Sequence, residues 1–133
     1  MKIIRIWFEK ERIYGEADDG RELWQSLLYY KRLMQAGANE RKNYEMNSFG
    51  IHWPELDEDI SFESFEYPDP EPVGVSKVVL SHPEINASAV ARRLGMKQSL
   101  LAAYINGTKK PSAQREQIIA SELRQIGKEL AEL

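Results

Sequence analysis

The hydrophobic positions of this chain change period partway along it. Ile3, Ile4, Ile6, Trp7 and Phe8 open a dense apolar run. A polar Glu9-Lys10-Glu11-Arg12 stretch interrupts it, and Ile13 and Tyr14 resume it before the turn signal Asp18-Asp19-Gly20. Two strands joined by a polar hairpin account for that pattern. From Glu22 to Ala36 the residues Leu23, Trp24, Leu27, Leu28, Tyr30, Leu33 and Met34 recur every three or four positions. That spacing predicts an amphipathic helix stopped by Gly37. Tyr44 to Trp53 predicts further strands with Phe49, Ile51 and Trp53 on one face, and Asp57 to Phe65 a short helix or strand.

Three alternating prolines in Tyr67-Pro68-Asp69-Pro70-Glu71-Pro72-Val73-Gly74 restrict φ and remove amide donors, as in a semi-rigid connector. Beyond them the period is helical. Asn86 is placed to cap a helix carrying Ala89, Val90, Ala91 and Leu94, and Gly95 to stop it. Lys97 to Asn106 carries Leu100, Leu101, Tyr104 and Ile105 at helical spacing and ends at Asn106-Gly107. From Gln114 to Leu133, Ile119, Leu123, Ile126, Leu130 and Leu133 recur at coiled-coil intervals. The predicted organisation is an α+β N-terminal domain at 1–66, a small antiparallel sheet with one or two helices. A Pro-rich linker at 67–74 follows, and then an all-α domain at 75–133 ending in a long helix.

Length and composition narrow the chemistry. At 133 residues there is room for one ordinary domain or two small ones. Without cysteine there is no disulfide, thiolate nucleophile or cysteine zinc site, and His52 and His82 are the only imidazoles. The longest apolar run, Leu100 to Ile105, falls far short of the roughly 20 residues that span a bilayer, and the first residues lack a signal-peptide core. A cytoplasmic location without membrane contact is expected. His52 stands near Glu55, Asp57, Glu58 and Asp59, a grouping that could serve metal binding or acid–base work. No HExxH-like spacing, nucleophile or cofactor loop accompanies it, so a packed turn at His52-Trp53-Pro54 is the preferred reading. The expectation is no enzyme, no catalytic residue, no metal and no cofactor.

The net charge of −3 conceals an asymmetry: residues 1–66 carry nine Lys/Arg against fourteen Asp/Glu, and residues 67–133 nine against seven. Between Ala87 and Arg115 lie Arg92, Arg93, Lys97, Lys109, Lys110 and Arg115 with no carboxylate. Such a patch is either a solvated helix face or the footprint of a polyanion.

Two family resemblances attach to these residues. Asp19-Gly20-Arg21, Leu28, Tyr30, Arg32, Leu33, Glu40-Arg41 and above all His52-Trp53-Pro54-Glu55-Leu56-Asp57-Glu58-Asp59-Ile60 resemble a small bacterial family of domains of unknown function. The resemblance covers most of residues 1–66 and implies a fold but no activity. Ala89 to Ser112 resembles the lambda-repressor-like, Xre-type helix-turn-helix: Ala91, Gly95, Gln98, Ser99, Asn106, Gly107, Lys109, Lys110, Pro111 and Ser112 fit it, with Val75 to Ser81 as the preceding helix. Ile105 and Ala103 depart from that pattern, which implies weak sequence discrimination.

By this second resemblance Lys97, Gln98, Ser99, Ala102 and Ala103 would read base edges, and Arg92, Arg93, Thr108, Lys109 and Lys110 would hold phosphates. Ile119, Leu123, Ile126 and Leu130 would form a homodimer seam, or else pack on their own domain. The implied function is a sequence-specific, helix-turn-helix transcriptional regulator of double-stranded DNA, with a protein partner for the acidic N-terminal domain. The alternative is an antitoxin-like module that neutralises a basic partner and autoregulates its operon.

Overall fold

A computed structural model describes residues 1–133. The chain forms two compact units, Met1–Glu71 and Pro72–Leu133.

The first unit is α+β. Strands β1 (Ile3–Glu9), β2 (Arg12–Ala17) and β3 (Glu22–Ser26) form an antiparallel meander. A 3₁₀ turn at Leu27–Tyr29 and two five-residue helices, α1 (Lys31–Gln35) and α2 (Ala38–Lys42), lead to a second antiparallel sheet. That sheet is β4 (Glu45–Met46), β5 (Gly50–Trp53) and β6 (Glu58–Ser61), closed by a 3₁₀ turn at Glu63–Glu66. The sequence predicts one small sheet; there are two.

The helix expected over Glu22 to Ala36 survives only at its end, as the 3₁₀ turn Leu27–Tyr29 and the five-residue α1. Its first five residues instead pair with β2, Tyr14 opposite Trp24 and Ile13 opposite Gln25. Over so short a segment Leu23, Trp24, Leu27 and Leu28 fit a helix face equally well, and the ladder of hydrogen bonds to β2 decides the matter. Ser26 ends the strand by accepting from the Leu28 amide (3.1 Å), and Gly37 caps α2 rather than stopping a long helix, donating its N–H to Glu40 Oε1 (3.0 Å). Phe49 also departs from expectation: Ile51 and Trp53 are buried, but Phe49 sits in the β4–β5 turn, 83% exposed.

The core comprises Ile3, Ile13, Ala17, Leu27, Leu33, Ile51, Trp53, Ile60, Phe62 and Phe65. Inside it a polar cluster is fully satisfied. Gln25 Nε2 donates to Ser64 Oγ (2.9 Å), Ser64 Oγ donates to Ser61 O (2.7 Å), and the Tyr30 hydroxyl donates to Gln25 Oε1 (2.6 Å). Burial pushes the Tyr30 hydroxyl up to about 12. The proline run does not begin as a free connector, because the Ser26 N–H bonds Pro70 O and the Tyr29 hydroxyl bonds Asp69 O, both at 2.8 Å. The first unit therefore extends to Glu71.

The second unit contains four helices: α3 (Gly74–Ser81), α4 (Ala87–Leu94), α5 (Gln98–Ile105) and α6 (Ala113–Ala131). Local signals set their ends. The Asn86 side chain accepts from the Ala89 amide (3.1 Å), the Ser112 side chain accepts from Arg115 (3.1 Å), and Glu116 reaches back to accept from Val75 at the start of α3 (2.8 Å). Gly95 terminates α4 at φ 64°, with Met96 N–H on Ala91 O (2.9 Å) and Gly95 N–H on Arg92 O (3.1 Å). This paired termination requires a left-handed residue, which glycine supplies without steric cost. Val75, Val90, Ala91, Leu101, Ile105 and Ile119 are buried at the centre.

Candidate nucleic-acid interface

Gly95, Met96 and Lys97 join α4 to α5, so one helix gives way to the next within three residues. Leu101 and Ile105 hold the inner face of α5 in the core, which fixes what the other face presents. Lys97, Gln98, Ser99 and Ala102 are exposed there, and Ala103 is half-buried. Lys97 stands at the α5 N-cap, where its side chain makes no cap hydrogen bond and the unpaired amides of the first turn carry partial positive charge.

The cations expected to hold phosphate divide into two groups. Arg92 is exposed, as are Thr108, Lys109 and Lys110 in the turn after α5. That turn is built on Asn106, whose Oδ1 accepts from the Thr108 amide (3.0 Å) and hydroxyl (2.5 Å). Arg93 points elsewhere. Its Nε donates to Glu122 (2.6 Å), and its two terminal nitrogens donate to Glu129 (3.2 and 3.3 Å), both on α6. Those bonds hold the Arg93 guanidinium above its ordinary value and the Glu129 carboxyl below its own. Arg93 is thus a tie between α4 and α6, its guanidinium engaged by two carboxylates. No sequence signal announces this, since 29 and 36 residues separate the partners.

The α6 stripe is also divided. Ile119 is 1% exposed inside the unit's own core and Leu123 and Ile126 lean on that core, whereas Leu130 is 69% exposed. Ile119 is therefore unavailable to a dimer seam. Sequence reasoning missed Gly127, which lies in the C-terminal part of α6 one turn before Leu130 and shapes that surface.

In the first unit His52 and Asp59 face each other across β5 and β6, with Nδ1 2.8 Å from Asp59 Oδ1. Glu55 accepts from Asn43 (2.7 Å), and Asp57 lends its backbone oxygen to Arg32 (2.7 Å). Burial, the larger influence, raises Glu58 above the usual carboxylate range. These groups do not converge, and no group of three or more His, Asp or Glu side chains is arranged to hold a metal ion. No helix is long and apolar enough to cross a membrane.

No curated protein and no solved structure matches the chain. A family model described as "Protein of unknown function (DUF2442)" matches residues 3–71, just over half of the chain, and ends at the last residue of the first unit. The chain accordingly belongs to this family of proteins of unknown function, DUF2442.

Proposed function

We propose that the protein is a DNA-binding transcriptional regulator whose second unit is a repressor-like helix-turn-helix reader of double-stranded DNA. The observation that carries this reading is the α4–Gly95–α5 turn with Lys97, Gln98 and Ser99 exposed at the start of α5 and no carboxylate between Ala87 and Arg115. A helix reads the major groove with the residues of its N-terminal turns, and those residues here have the needed chemistry. Gln98 can pair bidentately with adenine, Lys97 can donate to guanine, and Ala102 and Ala103 can meet thymine methyl groups. Arg92, Thr108, Lys109 and Lys110 supply phosphate contacts, which orient the reader without selecting sequence. A homodimer presents two such helices to two half-sites.

The test is a duplex-selection experiment on the full-length protein and on Gln98→Ala. Enriched sequences should share a motif that loses preference at one or two base pairs in the variant. Selection of no motif by either protein would sink the reading.

A second reading draws on the charge of the first unit, which carries sixteen Asp/Glu against nine Lys/Arg. An acidic module of that kind suits a basic protein partner, so the chain would act as an antitoxin-like neutraliser that also regulates its own operon. Co-purification of a basic protein from the native host separates this reading from regulation alone.

A further inference from the structure

We infer that a second copy of this chain docks in an apolar groove of the helical unit bounded by the end of α3, the start of α4 and the C-terminal half of α6. This refines the dimer invoked above and does not itself require DNA. The groove encloses about 540 Å³ between Val78, Ile85, Ala89, Ile126 and Leu130. Val78 and Leu130 are 44% and 69% exposed, so the isolated unit leaves much of this wall in water.

Gly127 says how the occupant approaches. It stands inside a 19-residue helix at a negative φ, so no left-handed turn requires it. A Cβ built there meets nothing within 4 Å, so no neighbour in the unit excludes a side chain. Glycine is the least favourable helix residue after proline, and the monomer offers no return for it. A position without Cβ does, however, let another backbone come close. Gly127 lines the groove one turn from the protruding Leu130, so a depression and a knob lie on the same face. A surface holding both is complementary to itself, the requirement of a two-fold contact.

The charges point to the same occupant. At 100° per residue, Glu122 and Glu129 fall on one side of the Leu123–Gly127–Leu130 row, where Arg93 offsets one of their two charges and leaves a net negative edge, and Arg124 and Lys128 fall on the other. Two α6 helices running the same way bring the acidic side of each copy toward the basic side of its neighbour. A partner of a single charge sign would meet repulsion along one side.

Sedimentation velocity of the full-length chain without DNA, over a concentration series, tests the inference with Gly127→Ala and Leu130→Gln. The wild type should dimerise, and each variant should weaken the dimer by roughly tenfold or more, the loss typical of an interface centre. Gly127→Ala should at the same time raise the melting temperature of the dilute monomer, which keeps a folding defect from explaining the loss. A wild type that stays monomeric overturns the inference and leaves the groove to a foreign partner. Variants that dimerise as tightly as wild type overturn it by moving the interface elsewhere. A monomer that selects a DNA motif would sink this inference alone, and a dimer that selects none would sink the DNA reading alone.

Discussion

The two units treat their arginines differently. In the first, every arginine is engaged: Arg5 with Glu16 (3.4 Å), Arg12 with Glu71 (3.9 Å), Arg21 with Asp19 and Glu66 (2.7 and 3.1 Å), and Arg32 with Asp57. Arg41 donates to the carbonyls of Leu33 and Met34 at the end of α1 (3.0 and 3.2 Å). In the second unit only Arg93 is held in this way, and Arg92 and Lys97 stand exposed without a carboxylate partner. Exposed ion pairs add little stability, so the contrast matters less for folding than for what each surface offers. Cations already matched to carboxylates have little left for a polyanion, and unmatched ones on a carboxylate-free surface keep their full attraction.

The largest effect that would sharpen this contrast comes from Leu101→Ala. It empties a buried site beneath the exposed face of α5 and should cost about 2–5 kcal/mol of the helical unit's stability. Denaturant unfolding followed by circular dichroism measures that loss, and DNA affinity should fall with the folded fraction. Ser64→Ala comes next. It leaves the buried Gln25 amide without its acceptor, at about 1–3 kcal/mol, and should destabilise the first unit while the affinity for DNA holds. A DNA affinity that fell equally in both variants would break the comparison.

A smaller effect marks the interior of the first unit by pH. The Tyr30 hydroxyl titrates at about 12 in the folded chain against an ordinary 10.0. The folded state thus holds its proton where the unfolded state has released it. The associated stability is complete below pH about 10 and is lost as pH rises toward about 12. Tyr30→Phe should remove that part of the alkaline loss, as read from denaturation midpoints across the range. An unchanged alkaline profile would mean that Tyr30 is not shielded.

The units also differ in how much of them is legible in the sequence. The helices of the second unit end on residues that act within a few positions of themselves, Asn86 on Ala89, Gly95 on Arg92 and Ser112 on Arg115, so their boundaries follow from short-range reasoning. Glu22–Ser26 becomes a strand through pairing with β2, a contact that helix-compatible spacing conceals. Strands over Tyr44 to Trp53 are legible in the sequence, but their union with β6 in a separate second sheet rests on pairings that spacing does not give. Within the candidate interface, the exposure of Lys97, Gln98 and Ser99 followed from the spacing of Leu100, Leu101, Tyr104 and Ile105. The diversion of Arg93 and the burial of Ile119 did not, since both depend on where α6 lies against α4 and the core.

The most direct test of this account sets two neighbouring arginines against each other. Fluorescence anisotropy of the full-length protein on a selected duplex, across a salt series, should show that Arg92→Gln lowers the salt slope by about 0.9, the value of one phosphate contact. Arg93→Gln should leave the slope as in wild type, because that side chain is bound to Glu122 and Glu129. An equal loss in both variants, or a loss in Arg93→Gln alone, would contradict the division between cations bound within the fold and cations offered to DNA.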